Sequence, residues 1–396
     1  MNNVFAEQPR KKVLFLIGNL ESGGVSKSMV NLLHVIDKKR YAISLWVGRA
    51  GGLYEDLLPK TGIRIFSDPV THALNSGIKG CVMLAVRGRF IRAVASGIRM
   101  LISRFSKPAS AFLLSRLYPV IKEEFDVIVD YGGQQLLYYM VDKLQAHKKI
   151  SFFHTDYKQW PYYFNLDNKY YPRVDDICTI SDQCVRSFGE MFPALKNKVH
   201  CIENISSVLM IRRMADEKVE ELPADLPVFV TVGHVSELKG SDLAIRAAAI
   251  LHKQGIDFVW MFVGRVTDRK KYDTMIRDHG LGGKIRLLGL RQNPYPYMRG
   301  ATLIVHPSQF EGKSIALDEA KILCKPIVVT NFSTVYDQFE DRVNASICKM
   351  TPEDLSSSIA DLLNNPSRRR QYGEWLEKHV ADNASEIGKL YALLDS

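Results

Sequence analysis

The sequence predicts an α/β fold of two successive domains, each a parallel sheet covered by helices. Three observations support this. The chain has 396 residues, more than one hydrophobic core usually serves. Short apolar runs of strand length alternate with helical patterns, as in parallel sheets covered on both faces. The alternation pauses once and then restarts, which indicates a second domain. The composition, 46% apolar and 24% charged, is typical of a folded protein.

The first half of the chain contains the elements of the first domain. Helical patterns at 25–37 and 134–143 fall between its apolar runs. The predicted strands are 13–17, 43–47, 63–66, 127–130, 150–153, 177–180 and 199–202. We therefore predict a Rossmann-like N-terminal domain over residues 1–205.

The second half repeats the pattern after a charged segment at 203–227, whose two prolines indicate a linker. A helical pattern covers 243–254. The predicted strands are 228–232, 258–263, 285–288, 303–305 and 327–329. We predict a second Rossmann-like domain over 206–375. The last ~45 residues read as helical by pattern, and we expect segment 376–396 to be able to cross back to the first domain.

The positive charge is concentrated in the N-terminal half. The net charge is +10, and residues 1–200 hold 28 Lys and Arg against 17 Asp and Glu. Segment 69–122 has nine basic residues and no acidic one, with large apolar residues between them. This pattern suits a helix on an anionic membrane surface, but also the solvated outer face of an ordinary helix. The predicted membrane-binding residues are Arg87, Arg89, Arg92, Arg99 and Arg104.

Nucleic acid is the weaker alternative partner for this basic segment, because no zinc-finger spacing, aromatic RNA-binding motif or recognition-helix pattern accompanies it. The sequence shows neither a signal-peptide core nor an apolar run of 18 residues. The sequence has six cysteines and no C-x-x-C pair, which indicates free thiols in a reducing cytosol. We expect a cytoplasmic protein that associates peripherally with the inner face of the cell membrane.

Several nucleotide and metal motifs are missing from the sequence. No G-x-G-x-x-G follows a strand, no P-loop motif occurs, and neither H-E-x-x-H nor two Asp flanking one residue is found. We therefore expect no dinucleotide cofactor and no metal. If the protein binds a diphosphate, its own cations and amides must neutralise the charge.

Segment 303–330 is the most informative stretch of the sequence. A strand leads into a polar turn holding Glu311, and the following helix carries Glu319. Both carboxylates are predicted at the carboxyl end of a parallel sheet, where α/β folds bind ligands. Ser314 is predicted to cap the helix, whose first amides would attract a phosphate. The pattern favours a nucleotide-sugar site. Alone, such a pair would more simply be two unrelated glutamates.

Two further loops suit phosphate binding. Gly23 and Gly24 lie between the first strand and its helix, where backbone can approach a ligand closely. In the second domain, His234 and Lys239 lie between the first strand and the next helix. A lysine there can contact a phosphate as a point charge. Each feature has an ordinary alternative, a tight turn or a solvated lysine, but the loops occupy equivalent places in both domains.

These motifs resemble the GT-B-fold retaining glycosyltransferases of family 4, also called glycosyl transferases group 1. The landmarks occur in the family's order: the Gly23-Gly24 loop, His154 in SFFHTDY, GHVSELKG at 233–240, and HPSQFEGKSIALDEAKILCKPIVVT at 306–330. The last block is the most specific. The resemblance implies two Rossmann-like domains facing across a cleft, with the donor bound mainly to the C-terminal domain and the acceptor to the N-terminal one.

The resemblance also implies roles for individual residues. Lys239 would bind the donor's diphosphate, Glu311 the sugar hydroxyls and Glu319 the ribose hydroxyls, while His154 would lie beside the sugar and the acceptor oxygen. Amides near Gly24, Ser314 and Ile315 would assist at the diphosphate. The chain departs from the family at His234, where Arg is usual, and at Cys324, where Gly is usual. Lys313 is a candidate to replace the missing cation.

The implied function is a metal-independent, retaining hexosyltransferase. It would move a sugar from a UDP- or GDP-sugar to a lipid-linked or polysaccharide acceptor in cell-surface glycan synthesis, such as lipopolysaccharide or capsule. Two alternatives stay open: a nucleotide-sugar epimerase with the same fold, and a non-catalytic partner protein that has kept the fold.

Overall fold

The computed structural model describes residues 10–21, 23–379 and 383–396 and shows two parallel sheets in succession. The first nine residues of the predicted N-terminal domain and residues 380–382 of the predicted C-terminal segment lie outside this description. The strands of each sheet pair in parallel throughout the described registers. The predicted α/β fold with two Rossmann-like domains is confirmed.

The N-terminal sheet has the strand order β3-β2-β1-β4-β5-β6-β7. Its strands are β1 (Lys11–Asn19), β2 (Tyr41–Arg49), β3 (Ile63–Phe66), β4 (Phe125–Asp130), β5 (Ala146–Phe153), β6 (Asp176–Thr179) and β7 (Val199–Cys201). The helices of this half are α1 (Gly24–Val35), α2 (Pro69–Leu74), α3 (Gly77–Val86), α4 (Phe90–Ile102), α5 (Lys107–Leu117), α6 (Gln135–Lys143), α7 (Phe164–Tyr170) and α8 (Asp182–Met191).

The C-terminal sheet has the order β10-β9-β8-β11-β12-β13. Its strands are β8 (Val228–Val232), β9 (Val259–Val263), β10 (Ile285–Gly289), β11 (Leu303–His306), β12 (Ile327–Thr330) and β13 (Ser346–Cys348). The helices of this half are α9 (Val208–Met214), α10 (Ser241–Lys253), α11 (Arg269–Asp278), α12 (Tyr295–Gly300), α13 (Ile315–Ile322), α14 (Pro352–Asn364), α15 (Pro366–His379) and α16 (Glu386–Asp395).

Strand β1 shows why each sheet is covered on both faces. Val13, Phe15 and Ile17 pack into one hydrophobic core, while Leu14 and Leu16 pack into the core on the opposite face. Successive side chains of a strand point to opposite faces, so a strand that is apolar throughout needs helices on both sides. The continuous apolar runs in the sequence are explained by this arrangement.

The predicted linker at 203–227 contains a helix, α9. Ser207 caps α9 by accepting a hydrogen bond from the Met210 amide at 3.3 Å. Ile211 and Ala215 are buried in the core of the C-terminal domain. Only part of the charged segment is therefore a connection, since α9 packs against the second sheet.

The last helix, α16, packs against the N-terminal domain. Leu390 and Leu394 are buried in the core beside α1. The Tyr391 hydroxyl accepts a hydrogen bond from the Asp37 amide at 2.7 Å. The chain thus passes from the N-terminal sheet to the C-terminal sheet and returns, which gives the two domains a second covalent connection.

Candidate active site

A cavity of about 330 Å³ lies between the two domains. The strands of both sheets end beside it, as expected for ligand sites in α/β folds. The residues predicted from the sequence as catalytic or donor-binding all line this cavity: Gly23, Gly24, His154, His234, Lys239, Glu311, Lys313, Ser314, Ile315 and Glu319. Residues far apart in the sequence are therefore gathered in one place.

Glu311 is held by two groups of its own domain. Lys239 Nζ donates to Glu311 Oε1 at 2.7 Å, and His306 Nε2 lies 3.0 Å from the same oxygen. Burial alone would raise the pKa of Glu311, but Lys239 and His306 outweigh it and hold that pKa well below its usual value. Glu311 is therefore a fixed carboxylate. His306, which opens the 306–330 block, had no role in the sequence prediction.

Glu319 is held by groups from both domains. It forms an ion pair with Lys27 of α1, and the Tyr295 hydroxyl donates to Glu319 Oε1 at 3.0 Å. The Lys27 ammonium lies 4.4 Å from the centre of the Tyr295 ring. Burial, followed by the charge of Glu319, raises the pKa of Tyr295, so its hydroxyl stays a donor. The sequence prediction assigned no role to Lys27 or Tyr295.

In both Glu311 and Glu319 the protein contacts fall on one carboxylate oxygen, so the other oxygen can bind a ligand. The ion-pair and hydrogen-bond contacts described for the Glu311 and Glu319 side chains fall on Oε1. An ionised carboxylate accepts at both oxygens. Each Oε2 can therefore accept a hydrogen bond from a hydroxyl group in the cavity.

Helices α1 and α13 begin close to each other at the cavity. Gly23 has φ +97°, which favours glycine, and a Cβ added to Gly24 would lie 3.3 Å from Ile315 Cδ1. A larger residue at position 24 would therefore press against the start of α13. The first turns of both helices line one site, and helix starts attract anions.

Ser314 occupies the N-cap position of α13, but not in the way predicted. In the described chain its side chain makes no capping hydrogen bond. Its amide donates instead to Gln338 Oε1 at 3.2 Å. The predicted side-chain cap is wrong, because the Gln338 side chain comes from a later loop that local sequence does not reveal.

Lys313 lies in the wall of the cavity and is paired with an acidic side chain. Its ammonium forms an ion pair with Glu203, and its side chain is buried. Burial lowers the pKa of Lys313, but Asp318 and Glu203 outweigh it and the pKa is raised. Lys313 is therefore charged, although Glu203 compensates much of that charge.

His234 lies among cations. Burial, then Arg265 and Lys239, lower its pKa. A neutral imidazole can still donate one hydrogen bond to a phosphate. Arg265, which is bound to Glu21 at 2.9 Å, is a neighbouring cation that the sequence prediction did not consider.

His154 is a neutral histidine at the wall of the cavity. Its ring packs 4.6 Å from the Tyr131 ring. Burial lowers the pKa of His154 to about 4, although the Tyr131 backbone and the Asn204 side chain oppose the shift. Those two contacts fall short of standard hydrogen-bond geometry, since within the described chain both ring nitrogens are shielded from solvent and lack such a bond. A ligand in the cavity would therefore contact the ring of His154, which lines the wall, and not its shielded nitrogens.

The predicted membrane-binding arginines lie outside the cavity wall, on and beside α3 and α4. Arg87, Arg89 and Arg104 are exposed, and Arg92 is half-buried. Arg99 must be removed from the set. Its guanidinium donates to the Leu74 carbonyl at 3.5 Å, and burial lowers its pKa.

Large apolar side chains are exposed on the same helices. Ile91 and Phe105 are 87% and 91% exposed, an unusual state for side chains of this size. We use the name basic apolar surface for the three exposed arginines Arg87, Arg89 and Arg104 together with the exposed apolar residues of this region. Those apolar residues are Ile78, Val82, Val86, Phe90, Ile91, Val94, Ile98, Leu101 and Phe105. Exposed apolar side chains grouped on one surface mark interaction sites, whereas single ones are ordinary. Among the described residues, no helix is long and apolar enough to span a bilayer.

The described residues contain no cluster of three or more His, Cys, Asp or Glu side chains arranged to hold a metal ion. The cations lining or bordering the cavity are protein groups, notably Lys27, Lys239, Lys313 and Arg265. The predicted independence of metal stays a prediction.

Comparison with known proteins supports the family resemblance. The family model of the glycosyl transferases group 1 matches residues 213–379. An uncharacterized glycosyltransferase of Methanocaldococcus jannaschii is 25% identical over 174 residues, 43% of this chain and 43% of that protein. The poly(ribitol-phosphate) alpha-N-acetylglucosaminyltransferase of Staphylococcus aureus is 26% identical over 175 residues, 42% of this chain and 35% of that protein. The matched region thus covers less than half of these relatives.

The likeness in fold extends over almost the whole chain. The crystal structure of Anabaena HepE with UDP and glucose has a TM-score of 0.72 and 14% sequence identity, and the match covers 97% of this chain and 99% of that one. At this identity the match shows the fold alone. The chain therefore carries a glycosyl transferases group 1 domain at residues 213–379 within the GT-B fold, as its sequence motifs predicted.

Proposed function

We propose that this protein is a retaining glycosyltransferase that moves a hexose from a UDP- or GDP-sugar to a lipid-linked or polysaccharide acceptor in cell-surface glycan synthesis. The observation that carries the proposal is the cavity between the domains, which combines two helix starts, fixed cations and two oriented carboxylates. A nucleotide sugar needs all three: amides and cations for its diphosphate, and acceptors for its ribose and sugar hydroxyls.

The diphosphate is the leaving group of the reaction. When the bond from the sugar to the diphosphate breaks, negative charge grows on the leaving oxygen. Lys239, near the start of α10, and the first amides of α1 and α13 would stabilise that charge. Fixed donors in a closed site stabilise such charge more than mobile water does. No metal is required in this scheme.

The carboxylates would orient the donor. Glu311 Oε2 would accept hydrogen bonds from hydroxyls of the transferred sugar, and Glu319 Oε2 from the ribose. His154 is neutral near pH 7 because burial lowers its pKa to about 4. Its ring would lie beside the transferred sugar and the acceptor hydroxyl without adding a charge. A front-face displacement would retain the anomeric configuration without a second carboxylate as nucleophile, unlike in retaining hydrolases.

The basic apolar surface supports a lipid-linked acceptor. Exposed arginines beside exposed Ile, Val, Leu and Phe match the two layers of an anionic membrane surface, head groups and acyl chains. Each arginine near such a surface contributes about 1 kcal/mol. We therefore infer peripheral attachment to the cytoplasmic face of the cell membrane, which would hold the N-terminal domain beside its acceptor.

The experiment that tests the function is product analysis with purified full-length protein, a panel of UDP- and GDP-sugars, and membrane lipid extract. Transfer predicts one nucleoside diphosphate released for each sugar found on lipid or glycan, with the anomeric configuration of the donor. Conversion of the sugar without release of nucleoside diphosphate would identify an epimerase. Binding of a donor without any turnover would identify a non-catalytic partner protein.

A further inference from the structure

Lys27 joins the two domains at the carboxylate assigned to the ribose. It lies on α1 of the N-terminal domain, whereas its partners Glu319 and Tyr295 belong to α13 and α12 of the C-terminal domain. Little of this ion pair reaches solvent, since the Lys27 side chain is 13% exposed and that of Glu319 is 1% exposed. Screening by water and salt is therefore weak, unlike in a surface pair.

We propose that Lys27 is a positioning residue for the donor's ribose, an inference that rests on the proposed function. Lys27 and Tyr295 both bind Oε1 of Glu319. This fixes the plane of the carboxylate and leaves Oε2 as the acceptor for a ribose hydroxyl. The Lys27 ammonium also compensates the negative charge of Glu319, which is buried near the tyrosines Tyr295 and Tyr54. Burial, followed by the charge of Glu319, raises the pKa of Tyr54 to about 12.

The recognition of ribose is therefore completed by the N-terminal domain. The start of α1 approaches α13 closely, with Gly24 leaving just enough space for Ile315. Because the two residues belong to different domains, any separation of the domains would withdraw Lys27 from Glu319 and remove the contact that orients the carboxylate. Selection of a ribonucleotide thus depends on the contact between the two domains at Glu319.

The test compares binding of ribonucleotides and deoxyribonucleotides to full-length variants. UDP and GDP, and the 2′-deoxy and 3′-deoxy forms of each, are titrated calorimetrically into wild type, Lys27→Met, Lys27→Arg and Lys39→Met. Lys39 is an exposed lysine at the turn after α1 and serves as the matched control. A hydrogen bond to a charged group contributes about 1.5–3 kcal/mol, so wild type should prefer the ribonucleotide about tenfold or more.

The preference for ribose is the readout. In Lys27→Met it should fall to about threefold or less, while Lys27→Arg and Lys39→Met keep it. If Lys27→Met binds the ribonucleotide and the deoxynucleotides more weakly by the same factor, so that the preference for ribose is intact, Lys27 has a merely structural role and the inference is overturned. A wild type that binds no nucleotide contradicts the proposed function itself. A wild type that binds the ribonucleotide and both deoxy forms equally refutes the ribose role of Glu319, and with it that of Lys27.

Discussion

The buried neutral His154 predicts a specific pH dependence of stability. In the unfolded chain its pKa should be near the ordinary value of 6.5, whereas burial in the folded protein lowers it to about 4. Between these values the unfolded state binds the additional proton. His154 therefore destabilises the fold as the pH falls from about 6.5 towards 4, and this effect is absent at pH 7.5.

The size of the effect follows from the two pKa values. Each pKa unit corresponds to about 1.36 kcal/mol. Lowering the pH from 7.5 to 4.5 should cost the folded state about 2.5 kcal/mol through His154. Glutamine at this position cannot titrate, so His154→Gln should lose about 2.5 kcal/mol less than wild type over the same interval.

The assay is urea unfolding of both proteins at a series of pH values. Burial raises the pKa of Asp130 and of Asp167 to about 6, so these groups act in the opposite direction. They are present in both proteins and cancel in the difference. An NMR titration of the imidazole signal that disappears in His154→Gln gives the pKa directly. Parallel stability curves, or a ring that titrates near 6.5, would refute the account of a buried, neutral His154.

Three further predictions concern the site and the surface. Lys239→Ala and Glu319→Ala should each reduce transfer about a hundredfold with little change in fold. Each substitution removes a hydrogen bond to a charged group, which contributes about 2–3 kcal/mol. Near-normal turnover in both variants would refute the assignment of these residues to the donor site. Transfer should survive EDTA, and loss of activity that Mn²⁺ or Mg²⁺ restores would show that a metal binds the diphosphate. Changing Arg87, Arg89 and Arg104 to Gln should move the protein from the pellet of anionic liposomes to the supernatant, whereas a matched triple of exposed arginines in the C-terminal domain should not. Equal sedimentation with anionic and neutral liposomes would make the basic apolar surface an ordinary solvated face.

The fold was predictable because its central strands are continuous apolar runs, which only a sheet covered on both faces can bury. The elements that the sequence analysis missed are short or polar. Strand β13 has three residues, Ser346–Cys348, too few to show a period. Helix α9 lies in a charged segment and buries only Ile211 within its span. Such elements take their structure from the core they pack against.

The site residues that follow strands were predictable for a similar reason. His234, Lys239 and Glu311 come soon after parallel strands, and the carboxyl ends of neighbouring strands lie together. Lys27 gave no comparable signal. It is one lysine on an amphipathic helix, and its partner Glu319 is determined by how the two domains dock. That geometry depends on the whole interface.

Helix α4 shows the limit of pattern reading for a surface. Basic and apolar residues interleave along it, so the sequence indicated an interaction face without showing which side packs inward. The structure turns Arg99 inward to the Leu74 carbonyl and leaves Ile91 87% exposed. The polarity expected of a solvated helix is therefore partly inverted on α4, which is the strongest structural support for a bound partner there.

The most direct test of the central claim is the affinity of the full-length protein for nucleoside diphosphates. UDP, GDP, ADP and CDP would be titrated calorimetrically into wild type and Lys239→Ala, with the matching nucleosides as controls. We predict that wild type binds at least one diphosphate far more tightly than its nucleoside, and that Lys239→Ala loses about tenfold or more of that affinity. Absence of binding by wild type, or equal affinity in Lys239→Ala, would contradict the assignment of the cavity to a nucleotide-sugar donor.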